Sequence, residues 1–264
     1  MPHRVARPLL VLVALLLAGR AEAQIALDRT ELVLRPDSAA QRSGRVVVRN
    51  TGRSRATAAI RIEDWDRGAD GSHRFYEAGT QPGSCATVLT VSSLAFSLAP
   101  GESRALEVGL DGAVHSACWS LVLVESEERV RDAEGRMVLA TVRTGLKVFA
   151  EPTGLRSAGE VSDLEVEQSA SAHSVSALPA ASQAAVTFRN TGERHLKAQG
   201  RLEIRRADDS VVTTLPLPLL QALPGATMTA RVTLPAMPTG TYRLRAVVDY
   251  GTATAAAERT RELR

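Results

Sequence analysis

Aromatic side chains are few in this chain: two Trp, three Tyr and four Phe in 264 residues. Glycan binding calls for exposed aromatic platforms, whereas Trp65 and Trp119 stand in strand-like runs where burial is the better expectation. Cysteine is scarcer still, with only Cys85 and Cys118, and no histidine lies at ligand spacing from either. The five histidines, His3, His73, His115, His173 and His195, form no His-x-x-x-His or Glu-x-x-His pair, so no metal site is expected. The acidic stretch Glu63-Asp64-Trp65-Asp66, followed by Asp70-Gly71, lacks the alternating order and closing Glu of a calcium loop and reads as a solvated loop. Also missing are a Gly-x-Ser-x-Gly elbow, a Walker loop, a Gly-x-Gly-x-x-Gly turn and a Cys-x-x-Cys pair. No enzyme class has a motif behind it, and no cofactor is implied.

No apolar run is long enough to span a bilayer. The longest, Leu9–Gly19, follows Arg4 and Arg7 and precedes the small-x-small triplet Ala21-Glu22-Ala23. That is the form of a cleavable secretory leader over residues 1–23, which leaves a mature chain from Gln24 to Arg264 without a membrane anchor. The formal charge of +3 loses three arginines and one glutamate with the leader and falls to +1. A balance so near neutral gives no electrostatic case for nucleic acid or an acidic membrane. In an exported protein the even cysteine count reads as a Cys85–Cys118 disulfide.

What the chain does contain is a phrase written twice. Arg-Asn-Thr-Gly occurs at Arg49–Gly52 and Arg189–Gly192, each time closing an apolar run and each time followed by a Pro-Gly turn, Pro100-Gly101 and Pro224-Gly225. The offset between copies is 140 residues at the phrase and 124 at the turn, so sixteen extra residues lie between Asn50 and Pro100, most plainly within the polar, Gly-rich stretch Asp66–Ser84. Period-two alternation fills the rest: Ala58, Ile60 and Ile62; Leu106, Val108 and Leu110; Val138, Ala140 and Val142; Val232 and Leu234. Without helical periodicity, such runs predict two antiparallel β-sandwiches of about seven strands each. The boundary falls near Glu151-Pro152-Thr153-Gly154, giving domains 24–152 and 153–264. The Ala/Ser-rich stretch Ser169–Ser182 reads as a flexible loop, and the charged tail after Ala257 as a fraying end.

Several phrases together resemble the PapD-like periplasmic chaperones of chaperone–usher pilus assembly. Ile25-Ala26-Leu27-Asp28-Arg29-Thr30 is similar to that family's first strand, Leu98-Ala99-Pro100-Gly101-Glu102 to its mid-domain turn, and Cys118-Trp119-Ser120-Leu121 to its aromatic strand. Thr144–Phe149 followed by Pro152 resembles the end of its long seventh strand, and Asp249-Tyr250-Gly251 its late Asp-Tyr-Gly strand. The resemblance implies two immunoglobulin-like domains set in an L, a periplasmic location, and ATP-independent strand donation to secreted pilus-type subunits, with an outer-membrane usher as a further partner. Val138, Ala140 and Val142 take the donor positions, and Lys147 the lysine that holds the subunit's terminal carboxylate. The family's cleft arginine is replaced by Glu31; Arg29, two residues earlier, lies on the same strand face, and Glu31 is expected to pair with Lys147. In the interdomain ion cluster Asp249 matches, but Glu151 stands where an Arg is expected and His115 where an acid is expected. The competing expectation is a structural or adhesive pair of modules at the cell envelope. A second copy of the chain is a further candidate partner, capping the free edge as a dimer.

Overall fold

The computed structural model describes residues 24–131, 133–168 and 182–263. Residues 1–23, read above as a leader, and all of the Ala/Ser-rich stretch except Ser182 lie outside the described residues. The first half contributes β1 (Ile25–Leu27), β2 (Glu31–Leu34), β3 (Ser43–Asn50), β4 (Ala56–Arg67), β5 (His73–Tyr76), β6 (Leu89–Val91), β7 (Ala95–Leu98), β8 (Ser103–Leu110), β9 (Cys118–Arg131) and β10 (Met137–Ala150). The second half contributes β11 (Gly159–Gln168), β12 (Ser182–Asn190), β13 (Leu196–Arg205), β14 (Val211–Pro216), β15 (Leu220–Ala222), β16 (Thr227–Thr233), β17 (Gly240–Asp249) and β18 (Thr254–Leu263). The halves hold more than the seven strands apiece expected, because short edge pieces such as β6, β7 and β15 break what the alternation presents as continuous runs.

Each half is a sandwich of two sheets. In the first, β1-β3-β8-β6 faces β2-β10-β9-β4-β5, with β7 also on β4; in the second, β11-β12-β16 faces β14-β13-β17-β18, with β15 on β13. Their inner faces close over separate apolar clusters, one including Ile25, Val48, Leu98, Val122 and Val148, the other Phe188, Leu202, Ile204 and Leu244. One pair of strands departs from the antiparallel rule. The N-terminal segment leaves the first sheet after β1 and joins the second as β2, running parallel to β10 with Lys147 opposite Glu31.

The repeated phrase has a physical explanation in its asparagine. Asn50 is fully buried, and its amide nitrogen donates to the carbonyls of Ser54 (2.8 Å) and Leu98 (3.0 Å) while its amide oxygen accepts from Gly52 N (2.9 Å). Asn190, equally buried, donates to Arg194 O (2.8 Å) and Ala222 O (2.9 Å) and accepts from Gly192 N (2.9 Å). In both copies the Pro-Gly turn closes on the asparagine's own carbonyl, from Gly101 N at 2.9 Å and Gly225 N at 3.1 Å. Both turn glycines sit at a φ of 76°, a left-handed conformation that disfavours any side chain.

The sixteen-residue excess becomes the β4–β5 hairpin and the loop after it. Asp64, 1% exposed, anchors that loop by accepting from Thr80 N (2.9 Å), Gln81 N (3.0 Å) and the hydroxyls of Ser84 (2.6 Å) and Ser120 (3.2 Å). Asp66 pairs with Arg74 at 2.6 Å, and Asp70 accepts from Ser72 N at 3.0 Å. The stretch read as a solvated loop is thus partly a structural hub, with its carboxylates engaged by the protein itself. The Cys85–Cys118 disulfide ties the same loop to the start of β9 across a Cα–Cα distance of 5.2 Å. The tail after Ala257 does not fray: β18 pairs with β17 as far as Leu263, opposite Gly240. Arg259 pairs with Glu165 (3.2 Å) and Asp163 (3.5 Å) on β11, so charges that look like a solvated end lace an edge strand to the opposite sheet.

Candidate functional site

Strand β10 changes surroundings along its length. Leu146, Val148 and Ala150 point into the first core and are fully buried. By the period of two, Val142, Ala140 and Val138 continue that inner face, yet they lie beyond the facing sheet: Val138 is 39% exposed and Ala140 and Val142 are half-buried. Met137 and Leu139 add exposed apolar surface at the same end. β10 pairs with β9 over its whole length but with β2 only from Lys147 to Ala150. Among the described residues no strand occupies its other edge from 137 to 146. The result is an apolar face and a row of backbone groups without strand partners, on one segment.

The odd-numbered side of β10 faces the second sandwich. Phe149 packs with Trp65, Leu121, Leu123 and Leu223, and its ring stacks on that of His195 at 4.4 Å. Lys147, half-buried, lies over the Trp65 ring at 5.2 Å, and the Arg67 guanidinium over the same ring at 5.9 Å. Arg67 is held by Gln221 of the second sandwich (2.8 Å) and by His73 of β5 (3.0 Å). Burial, followed by the charge of Arg67, holds the Lys147 ammonium below its ordinary pKa, with Glu31 acting in the opposite sense. Burial also lowers Arg67, and burial together with the Lys147 and Arg67 charges lowers His73. His195 is pushed down to about 4, chiefly by burial.

Glu31 does not pair with Lys147. Its carboxylate binds Lys197 on β13, because parallel pairing places the two residues side by side while β13 supplies a cation directly across the cleft. Arg29 does not join the cluster either; it is exposed between β1 and β2 and pairs with Asp28 at 3.3 Å. Arg67, Lys197 and His195 were not picked out by sequence reasoning. Arg67 is signalled at most by the insertion that carries β4 on to β5, and Lys197 and His195, on or beside β13 and remote in the chain, carry no signal.

Next to this cluster is a hollow of about 340 Å³ whose walls include Trp65, His73, Phe75, Leu121 and Lys147. Phe75, contributed by the insertion hairpin, is 57% exposed there. The Trp65 indole N–H is buried without a hydrogen-bond partner, an uncompensated donor beside the cleft.

The junction between the sandwiches centres on Glu151, 3% exposed. It accepts from Arg194 Nη2 (2.7 Å) and His195 N (3.1 Å) and faces Arg35 at 3.6 Å. The polarity expected from the family resemblance is inverted here, with one acid between two arginines. Asp249 and His115 are not among its partners. Asp249 is exposed and accepts from Gly251 N at 2.8 Å to close its own turn, and His115 is exposed in the segment between β8 and β9.

The family model described as CARDB matches residues 161–260, which span β11 to most of β18. No curated protein matches the chain. Among solved structures, a class 5 fimbriae chaperone, CfaA, is 9% identical, with 91% of this chain covering 100% of that one at a TM-score of 0.50. A chaperone–tip adhesin complex of CFA/I fimbriae is likewise 9% identical, with 90% covering 99% at 0.50. The CsuC–CsuE chaperone–tip subunit pre-assembly complex of Acinetobacter baumannii is 13% identical, with 89% covering 98% at 0.47. No helix among the described residues is long and apolar enough to cross a membrane. The chain therefore has the two-sandwich, immunoglobulin-like fold of the PapD-like pilus chaperones.

Proposed function

We propose that this protein is a periplasmic chaperone, exported by a cleaved leader over residues 1–23, that binds pilus-type subunits by strand addition without ATP. The domains are 24–152, which carries the donor strand, and 153–264, which completes the cleft. The observation that carries the reading is β10 itself. Its free edge offers backbone hydrogen bonds, its uncovered inner face offers Val138, Ala140 and Val142, and its far end runs into a cluster of half-buried cations. A subunit lacking one strand would take that edge, with the alternating side chains setting register.

The subunit's terminal carboxylate would sit at Lys147 and Arg67. These cations share one aromatic ring and repel each other, and burial first and that repulsion second hold the Lys147 pKa down. An anion between them relieves that repulsion and gains charge-assisted hydrogen bonds. Arg67 thereby supplies the charge that Glu31 removes from the family's arginine position, while Lys197 neutralises Glu31. The hollow beside Trp65 and Phe75 would take an apolar side chain near that terminus. An outer-membrane usher would receive the complex.

The test is recovery from the periplasm. The native protein should bring down a stoichiometric subunit, and Val138→Asp with Val142→Asp should lose it. Lys147→Ala or Arg67→Ala should weaken capture about 10-fold or more, the scale of losing one partner of a desolvated charge pair. A clean monomer indifferent to all four changes would leave the structural or adhesive module as the reading. A dimer dissolved by the two aspartates would mean that the edge is used to cap a second copy.

A further inference from the structure

The core-facing side of β9 carries an acid at an unusual place. Glu128 is 8% exposed, stands in register with Ala140 of the donor segment, and follows Val122, Val124 and Ser126 on the same face. Its partners are Gln24 N at 2.6 Å and the Ser126 hydroxyl at 3.3 Å. A desolvated carboxylate between two neutral donors is poorly compensated, and its burial calls for a cation.

The nitrogen of Gln24 is the group that can become one. Hydrolysis of the Ala23–Gln24 amide by a leader peptidase adds water across that bond. It leaves a carboxylate on Ala23 and, on Gln24, an amine that is protonated near neutral pH, since α-amino groups titrate at about 7.7–8.0. We propose that Glu128 is the receptor for this new α-ammonium group, and that leader removal thereby completes a half-buried ion pair beside the exposed half of β10. The proposal rests on the leader reading; its consequence for subunit binding rests on the strand-addition reading as well.

The amine would have little freedom to leave. Gln24 O accepts from Thr51 N at 2.8 Å, and Gln24 Nε2 donates to Ser54 O at 2.7 Å and Ser54 Oγ at 3.1 Å. The next residue, Ile25, is 1% exposed in the core and pairs with Asn50. The amine is thus fixed by β1 before it meets Glu128, so little ordering entropy opposes the pair. Before processing, the same contact is a single amide N–H on a buried charge. The precursor's donor segment then rests on a weaker base than that of the mature chain.

The experiment compares protein starting at Gln24 with protein carrying Gly-Ser before it, each with and without Glu128→Gln. Intact mass verifies each amino terminus and shows that Gln24 has not cyclised. The free terminus should melt at least about 3 °C higher than the extended one, on the scale of a half-buried ion pair in a chain of this length. The gap should vanish in Glu128→Gln and close as pH rises past the α-amine's pKa. Should Glu128→Gln not fold, the pH series on the two unsubstituted proteins still decides. Equal melting temperatures, or a gap indifferent to pH or to Glu128→Gln, would overturn the ion pair. A periplasmic product beginning elsewhere than Gln24 would overturn the leader premise instead. Loss of subunit capture with the gap intact would count only against the strand-addition reading.

Discussion

Asn50 and Asn190 each satisfy one buried carbonyl, one half-buried carbonyl and one turn N–H, in different sandwiches. Alanine at either position removes the donor to a buried carbonyl, Leu98 O in one copy and Ala222 O in the other, and frees the turn N–H of the following glycine. Asn50→Ala and Asn190→Ala should therefore cost about 2–4 kcal/mol each, measured by urea unfolding, with hydrogen exchange placing each loss in its own sandwich. Lys197→Ala removes an ion pair whose lysine is half exposed, and should change stability by no more than about 1 kcal/mol. The contrast also explains what could be read in the residues alone. The asparagines were legible through repetition, because the same turn geometry demands the same phrase twice. Arg67 and Lys197 look like any charge on a solvated strand face, and only the meeting of β4 with β15 and of β2 with β13 distinguishes them.

At the scale of elements, β10 was legible as a long alternating strand, but its division into a covered and an uncovered half was not. Val138 and Val148 are the same residue type on the same face, and only the extent of the opposing sheet separates 39% exposure from full burial. β18 was misread for a related reason: an edge strand protected by charge has the composition of a loose tail. Ending the chain after Ala257 would remove the β17 partners from Gly240 to Arg245 and the Arg259 pairs to β11. The second sandwich should then lose its cooperative unfolding transition or melt more than about 10 °C lower, as calorimetry would show. The disulfide acts on the insertion loop in the same direction. Its reduction should destabilise the first sandwich by about 3–4 kcal/mol, read as a shift in the urea midpoint with and without reductant.

For the molecule as a whole, the two sandwiches meet through a junction that holds a buried histidine. His195 stacks on Phe149 between the sandwiches, and burial keeps it neutral down to about pH 4. Lys197, Arg67 and Lys147 oppose its protonation, and Glu31 alone among the charges acting on it favours it. In the unfolded chain the same imidazole titrates near 6.5. Between these values the unfolded or opened state binds the extra proton. Stability is therefore complete above about pH 6.5 and declines as pH falls toward 4, by up to about 3 kcal/mol for this group. The charge can be relieved without unfolding either core, since parting Phe149 from His195 re-exposes the imidazole. Lowering the pH from 7.5 to 4.5 should thus open the junction first, with hydrogen exchange rising at Glu151 and His195 before it rises at Val122 or Leu202. His195→Phe keeps an aromatic ring against Phe149 and has nothing to protonate. It should flatten the pH dependence over this window while leaving stability at pH 7.5 within about 1 kcal/mol. An unchanged slope in His195→Phe would assign the acid sensitivity to other groups and leave the stacked ring a packing role only.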